Sequence, residues 1–409
     1  MTAQSVPGEA GSRCERAMVA IMFATWGLVF LDRMSVLYLA PYIARDLHLD
    51  DAQVGMLAGV VAVSWALSAL AFGVLSDRLG RKAILVPMVL LFSVISAASG
   101  LARDFEQLLC LRALLGVAEG PCWSVMMALV EENSPPRRRG RNIGIVVSAA
   151  AMVGLAIAPV LTTQVAAHLG WRDAFFVAAV PGALLAVLIA RFVSEAPRER
   201  RAASGRVGLS DVRALLRHRN LWASAVGAAG FMTWLFLVNA FGPLYITQIE
   251  HQSGRTAGLL MGAAGLGSFM LGLIAPAMSD RVGRRPMLAF CAVLSVILPI
   301  ALLSHGLYES LWLLALILFC TQAGQAISAI CIVLVPTESV PRGFAATAIG
   351  FATLCGELIG GFLAPLVGGD LAERHGLALP LWMAAAGAGV VLLSAVAMRP
   401  APRAAVASY

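Results

Sequence analysis

Two short stretches decide the fold: "GVLSDRLGRK" at residues 73–82 and "PAMSDRVGRR" at residues 276–285. Each follows a long apolar run, and their aspartates, Asp77 and Asp280, are 203 residues apart. A second pair repeats at nearly the same offset. "EENSPPRRRGR" (131–141) and "TESVPRG" (337–343) carry Pro136 and Pro341, 205 residues apart. Two independent anchors at almost one spacing mean that the chain is built as two equivalent halves.

The apolar runs around these anchors tell what the halves are made of. Hydrophobic residues make up 59% of the 409, and charged residues only 13%, about half the usual ~25%. The apolar residues come as twelve continuous runs, at 17–40, 52–75, 83–101, 106–130, 141–165, 172–194, 221–247, 256–278, 286–304, 311–335, 344–368 and 377–398. About 20 apolar residues in a helix cross the hydrocarbon core of a bilayer. The runs are too long and too uniformly apolar for barrel strands, which alternate faces. The sequence therefore predicts an all-α membrane protein with twelve transmembrane helices in two six-helix, pseudo-symmetric bundles. The expected parts are a tail (1–16), an N-terminal bundle (17–194), a linker (195–220), a C-terminal bundle (221–398) and a second tail (399–409). Residues 1–16 hold no apolar stretch of the kind a cleavable signal peptide needs. Bundles repeated about an axis along the membrane normal, with a site between them, are the architecture of alternating-access carriers.

Orientation follows from the positive charges. The connections on the side of the termini, with the two tails and the linker, hold 22 of the 30 Lys and Arg. The other side holds five: Arg45, Arg103, Arg172, Arg255 and Arg374. Both termini are thus expected in the cytoplasm. The formal charge of +7 reflects this topology and anionic lipid headgroups. "PPRRRGR" (135–141) directly follows a span, so it reads as a topology signal and not as a nucleic-acid patch. The seven cysteines have no C-x-x-C spacing and read as free, small core residues. No His, Cys and carboxylate cluster has metal spacing, and "GAAGLGSFMLG" (262–272) lies inside a span rather than after a strand. No metal and no cofactor is expected, and no covalent chemistry. Arg outnumbers Lys 29 to 1, a usage in keeping with a GC-rich bacterial source and hence a multi-pass protein of the inner membrane. A monomer is expected.

The paired loops and "RALLGVAEG" (112–120) resemble the major facilitator superfamily over nearly the whole chain. The resemblance implies secondary transport, and it makes the loops a latch between the halves, with Asp77, Arg78, Arg81, Asp280, Arg281 and Arg284 as gating residues. Pro276 replaces the leading Gly of the second copy, so that latch is expected to be the weaker.

Five ionisable residues lie well inside spans: Asp32, Arg33, Arg112, Glu119 and Glu357. Such residues are costly in a bilayer and mark functional sites. At 1.5 Å per residue, Asp32 lies about 22 Å from the terminal side, or ~8 Å below the far surface of a ~30 Å core. Arg112 lies about 9 Å deep from that far surface, a matching depth. Glu119 follows Arg112 by two turns on the same face, about 10 Å further in. Glu357 sits about 20 Å up span eleven. Asp32, Arg33, Arg112 and Glu119 thus form one polar cluster in the first half, with Glu357 facing it from the second. Burial disfavours an ionised carboxylate and a nearby Arg favours it, so a carboxylate whose Arg partner can be captured by an anion is a proton switch.

Within the superfamily, "FLDRMSV" (30–36), "RALLGVAEG" and "VGLAIAPVL" (153–161) resemble the anion:cation symporters. That resemblance implies proton-coupled uptake of a small organic anion, driven by the proton gradient. It makes Asp32 and Glu119 proton carriers, Arg112 their internal partner and Arg33 the anchor of the substrate carboxylate. Arg suits a planar carboxylate on physical grounds also. The departures bear on the substrate. Phe30 and Ala151 stand where sugar-acid carriers have Tyr and Gln, the Asn of span eleven is missing, and Trp65 stands near a usual Tyr. A polyhydroxylated ligand needs many hydrogen-bond partners, so an aromatic or weakly hydroxylated carboxylate is expected. Asn239, Gln322 and Gln325 are the remaining polar candidates of the second half, for ligand contact or for helix–helix hydrogen bonds. Glu357 would repel an anion unless it is protonated or the cargo carries a positive group; both stay open. The alternative function is a proton-coupled efflux antiporter. Such antiporters usually carry G-x-x-x-G-P-x-x-G-G in span five, and "GLAIAPVLTT" (154–163) lacks most of it.

Overall fold

The computed structural model describes residues 9–135, 138–193, 218–340 and 345–398. Most of the expected linker, the tail at 399–409, Pro136 and Pro341 lie outside the described residues, as do the side chains of Asp77 and Arg78. Twelve helices are long and apolar enough to cross a membrane: Cys14–Tyr38, Asp51–Ala69, Arg81–Ser99, Phe105–Asn133, Arg139–His168, Trp171–Phe192, Arg219–Ile249, Gly254–Val282, Arg284–Leu302, Leu311–Ser339, Thr347–His375 and Ala378–Ala397. They are called spans one to twelve. Most of the helices outrun the apolar stretches by a few residues, because their ends reach past the hydrocarbon to polar caps. Asp50 caps span two through the Gln53 amide at 2.7 Å, and Asp104 caps span four through that of Gln107 at 2.8 Å. At the other end of the chain's polarity, residues 9–16, read from sequence as a tail, are the first turns of a helix that runs from Glu9 to Tyr38.

The repeat is visible in the backbone. Gly80 and Gly283, in the two matching loops, both have φ above +100° (118° and 106°) between consecutive helices. Gly170 (φ 107°) and Gly376 (φ 91°), 206 residues apart, do the same between spans five and six and spans eleven and twelve. Only glycine adopts that conformation without strain, so these four positions fix equivalent turns in the two halves. An even number of spans leaves both termini on one face.

The halves meet through paired helices on the face away from the termini. Span two lies on span eleven, and span five on span eight. Glycines allow backbone contact there: a Cβ on Gly55 would strike the Pro365 carbonyl and lie 3.0 Å from Gly369 Cα, and one on Gly265 would strike Leu155. Tyr38 Oη donates to Asn239 Oδ1 at 2.9 Å, and Tyr42 covers Gly254. Toward the termini the same pairs part, and residues 139–149 of span five have few contacts with span eight. The described helices are therefore closed on the far face and separated on the terminal face.

The outward-facing side chains are apolar, among them Leu67, Val94, Leu184 and Leu393, as a surface in lipid requires. The cysteines are all free, and Cys122, Cys291 and Cys331 are buried. Cys14, Cys110 and Cys320 are exposed instead of lying in the core: on a membrane protein an apolar thiol is as well placed against lipid as against protein.

Candidate functional site at the interface of the halves

Asp32 and Arg33 are neighbours on span one, about 100° apart around the helix, and they serve different halves. Asp32 points into the first. Ser96 Oγ of span three donates to its Oδ1 at 2.5 Å, and Arg112 Nη1 of span four lies 3.6 Å from its Oδ2. Arg112 Nη2 also donates to the main-chain carbonyls of Asp32 (3.3 Å) and Arg33 (3.2 Å). Asp32 and Arg112 are fully buried. The depth match read from sequence thus brings this pair together, and Arg112 is held as much by span one's backbone as by the carboxylate.

Glu119 lies two turns along span four. The stretch "GVAEG" (116–120) packs tightly on span two, where a Cβ on Gly116 would lie 2.6 Å from the Val61 carbonyl and one on Gly120 2.5 Å from that of Trp65. Small residues at this spacing let helices approach in a membrane. Glu119 is fully buried, and neither of its oxygens finds a hydrogen-bond partner among the described residues. It lies in the electrostatic field of Asp32, Arg112 and Arg33.

Arg33 points across to the second half. Its Nη2 lies 2.6 Å from Glu357 Oε2, with both side chains only 4% exposed. Its guanidinium lies 5.4 Å from the ring centre of Trp65 and 5.1 Å from that of Phe236, within the range of cation–π attraction. Phe236 is 203 residues beyond Arg33, so the two occupy equivalent positions of the repeat and meet between the halves. Glu357 belongs to a π-helical segment, Gly356–Leu363, whose counterpart Ala150–Ile157 lies 206 residues earlier in span five. Such widened turns recur at functional sites. Gly361, one turn on, leaves the carboxylate its space: a Cβ there would lie 2.7 Å from Glu357 Oε2.

The other polar candidates separate. Asn239 joins the cluster's outer side through Tyr38. Gln322 accepts from the Gly324 amide at 2.8 Å and so caps a break in span ten. Gln325 lies against Gly272 of span eight, and its main-chain N–H donates to Ser268 Oγ at 3.0 Å. Neither glutamine has a contact with the charged cluster among these.

The profile of the Major Facilitator Superfamily matches residues 21–365 and 251–408. The chain belongs to this superfamily. It is 31% identical over 378 residues to a probable 4-methylmuconolactone transporter of Cupriavidus pinatubonensis, covering 90% of this chain and 87% of that one. It is 28% identical over 378 residues to the cis,cis-muconate transport protein of Acinetobacter baylyi, with 88% and 89% covered. Among solved structures, a bacterial homologue of the human lysosomal transporter Spinster, in an inward-facing and unoccupied conformation, superposes with a TM-score of 0.74 at 19% identity over 96% of this chain and 98% of that one. That likeness is one of fold. Like these superfamily members, the chain is a transporter and not an enzyme.

The superfamily loops form matching clusters within each half. Arg81 Nη1 donates to Ser76 Oγ at 2.7 Å, with Glu132 at 3.4 Å. Arg284 Nη1 donates to Ser279 Oγ at 2.5 Å and lies 2.6 Å from Asp280, while its Nη2 lies 2.8 Å from Glu338. Arg81 and Arg284 thus bind the ends of spans four and ten of their own halves, as a face that stands open requires. In the second cluster the Pro276 carbonyl accepts from Ser279 at 2.6 Å and Arg284 at 3.3 Å. Arg281 lies exposed in the last turn of span eight.

Three contributors escaped the sequence reading. Ser96 has a signal, since Ser93, Ser96 and Ser99 repeat at helical spacing in span three. Tyr38 lies on span one a turn and a half beyond Asp32. Phe236 has none: it is one aromatic among many, and only the repeat offset singles it out.

Proposed function

We propose that the protein is a proton-coupled symporter that brings a small, weakly hydroxylated or aromatic carboxylate into a bacterial cell across the inner membrane. The observation that carries this reading is Arg33. It is a buried guanidinium at the contact between the halves, aimed out of its own half and flanked by Trp65 and Phe236. A planar cation with two donors matches a carboxylate, and aromatic walls match an unsaturated or ring-bearing body. The muconolactone and muconate carriers among the relatives take cargo of that kind by their names. Asp32, Glu119 and Glu357 are the proton-coupling carboxyls, since all three are buried and neither oxygen of Glu119 has a donor among the described residues. The face rich in Arg is the cytoplasmic one, so the described state opens inward and Tyr38, Asn239 and the glycine contacts close the outer gate. Rocking of the halves about the Arg33 region exposes it to either side in turn.

The test is purified protein in liposomes, offered benzoate, cis,cis-muconate and 3-(3-hydroxyphenyl)propionate on the outside while lumen pH is followed. Anion entry that acidifies the lumen supports symport. Proton movement opposite to the anion overturns it in favour of an efflux antiporter. Anion flux of wild-type affinity in Arg33→Ala would mean that the anchor is misplaced.

A further inference from the structure

Glu357 already holds Arg33 in the way a bound carboxylate would. Its Oε2 lies 2.6 Å from Nη2 in a site buried on both sides, under the two rings that flank the guanidinium. A cargo carboxylate that uses Arg33 must take the position this side chain occupies. The two are mutually exclusive, and the displaced Glu357 would be left as a buried carboxylate next to a second anion.

Charge counting then fixes what accompanies the exchange. The five buried groups, Arg33, Arg112, Asp32, Glu119 and Glu357, hold two positive and three negative formal charges, a net of −1. A monocarboxylate takes the set to −2. Uncompensated buried charge costs several kcal/mol per ion, so a neutral empty site holds one proton, a neutral loaded site holds two, and the exchange takes up one. Asp32 keeps Ser96 and Arg112 as partners. Glu119, with no partner among the described residues, is the seat of the proton held in both states. Glu357, once displaced, is the seat of the other.

We therefore infer that Glu357 is an internal stand-in for the cargo carboxylate, released from Arg33 by the proton that travels with the cargo. The inference rests on the reading of Arg33 as the anion anchor. Among the described residues, the elements packed on Glu357 bring no other charge to it. Span one supplies Arg33. The described ionisable groups of span two lie at its ends, Asp51 at one and Arg81 and Lys82 just past the other, and span seven has Arg219 at its start and Tyr245 near its far end. Behind Arg33 lie Arg112, Asp32 and Glu119.

Two measurements test it. The first needs no cargo. Glu357→Ala leaves Arg33 unpaired, so its thermal midpoint should fall and acetate should restore it, while wild type and the Arg33→Ala, Glu357→Ala double variant should not respond to acetate. Absence of acetate rescue, or equal rescue in the double variant, overturns the stand-in role. The second uses Glu357→Gln, which keeps the shape, in liposomes. With whichever of benzoate, cis,cis-muconate monoanion or 3-(3-hydroxyphenyl)propionate wild type transports, the half-saturating anion concentration should be several-fold lower in Glu357→Gln, because an amide does not compete for Arg33 as a carboxylate does. An equal or higher value overturns the inference alone, whereas transport in Arg33→Ala like that of wild type overturns the anchor with it.

Discussion

The hydroxyl of Tyr38 and the side-chain oxygen of Asn239 meet at 2.9 Å, joining span one of the first half to span seven of the second. Asn239 is held in turn by the Leu235 carbonyl at 2.7 Å, so the bond is made from a fixed amide. One neutral hydrogen bond contributes about 1 kcal/mol net, and it exists only while the outer face is closed. Tyr38→Phe should therefore raise the outward-open population about fivefold. Distances between spin labels on the outer ends of spans one and seven read this population directly. An unchanged distribution would mean that the bond forms without restraining the gate.

The glycine contacts make a larger demand. A methyl group on Gly55 meets the Pro365 carbonyl of the opposite half, with Gly369 beside it. Overpacking costs about 1–3 kcal/mol, and here it falls on the closed state alone. In an isolated helix Gly→Ala is favourable by up to about 1 kcal/mol, so Gly55→Ala should open the outer face without unfolding the protein. Buried Ile43, replaced by cysteine in a background without the seven native thiols, should then react faster with an impermeant maleimide added outside. A reaction rate equal to that of the Gly55 parent would show that the helices yield at no cost.

Much of the site was legible because charge in a membrane has few explanations. Asp32, Arg33, Arg112, Glu119 and Glu357 stand out from an apolar sequence one residue at a time, and a fixed rise per residue gives their depths. Depth paired Asp32 with Arg112. It could not give azimuth, so the partner of Arg33 was not evident, although both residues were placed near one level. The repeat offset also sets Phe236 opposite Arg33 and makes Gly376 the counterpart of Gly170. Gln322 illustrates the limit. A polar side chain in an apolar run reads as a ligand contact, yet a break in span ten, which no proline marks, consumes it as a cap.

On the face away from the termini a short helix, Ala40–Leu47, is tied to span six through Asp46. Arg172 Nη1 donates to Asp46 Oδ2 at 2.5 Å and Trp171 Nε1 at 3.1 Å. The Arg172 hydrogen bond, and then that of Trp171, hold the Asp46 carboxyl below its ordinary range. A carboxyl depressed in the folded state contributes stability that is fully present above its unfolded value, about 3.9, and is lost as pH falls through the lower folded value. Asp46→Asn should thus lower the thermal midpoint by a constant small amount from pH 8 to about 5, with the gap closing below about pH 4. The site is half exposed, so the gap should shrink in high salt. A gap that persists in acid would assign the effect to shape and not to charge.

The Asp32–Arg112 pair is the sharpest case for separating coupling from stability. Removing one partner of a buried ion pair costs about 3–5 kcal/mol, whereas replacing both by neutral groups is often nearly free. Arg112→Met should therefore lower the thermal midpoint most, because Asp32 is left with Ser96 alone. Asp32→Asn should cost less, since Arg112 keeps its bonds to the Asp32 and Arg33 carbonyls. Adding Asp32→Asn to Arg112→Met should recover stability with a coupling energy of about 1–3 kcal/mol. Proton-driven accumulation should stay lost in the double variant, because one carboxyl of the proton path is gone. If the double variant is as unstable as Arg112→Met, the work of Arg112 lies in pinning the span-one backbone. Asp32 would then be free to change its protonation without disturbing the first half, as a proton carrier beside a fixed guanidinium should.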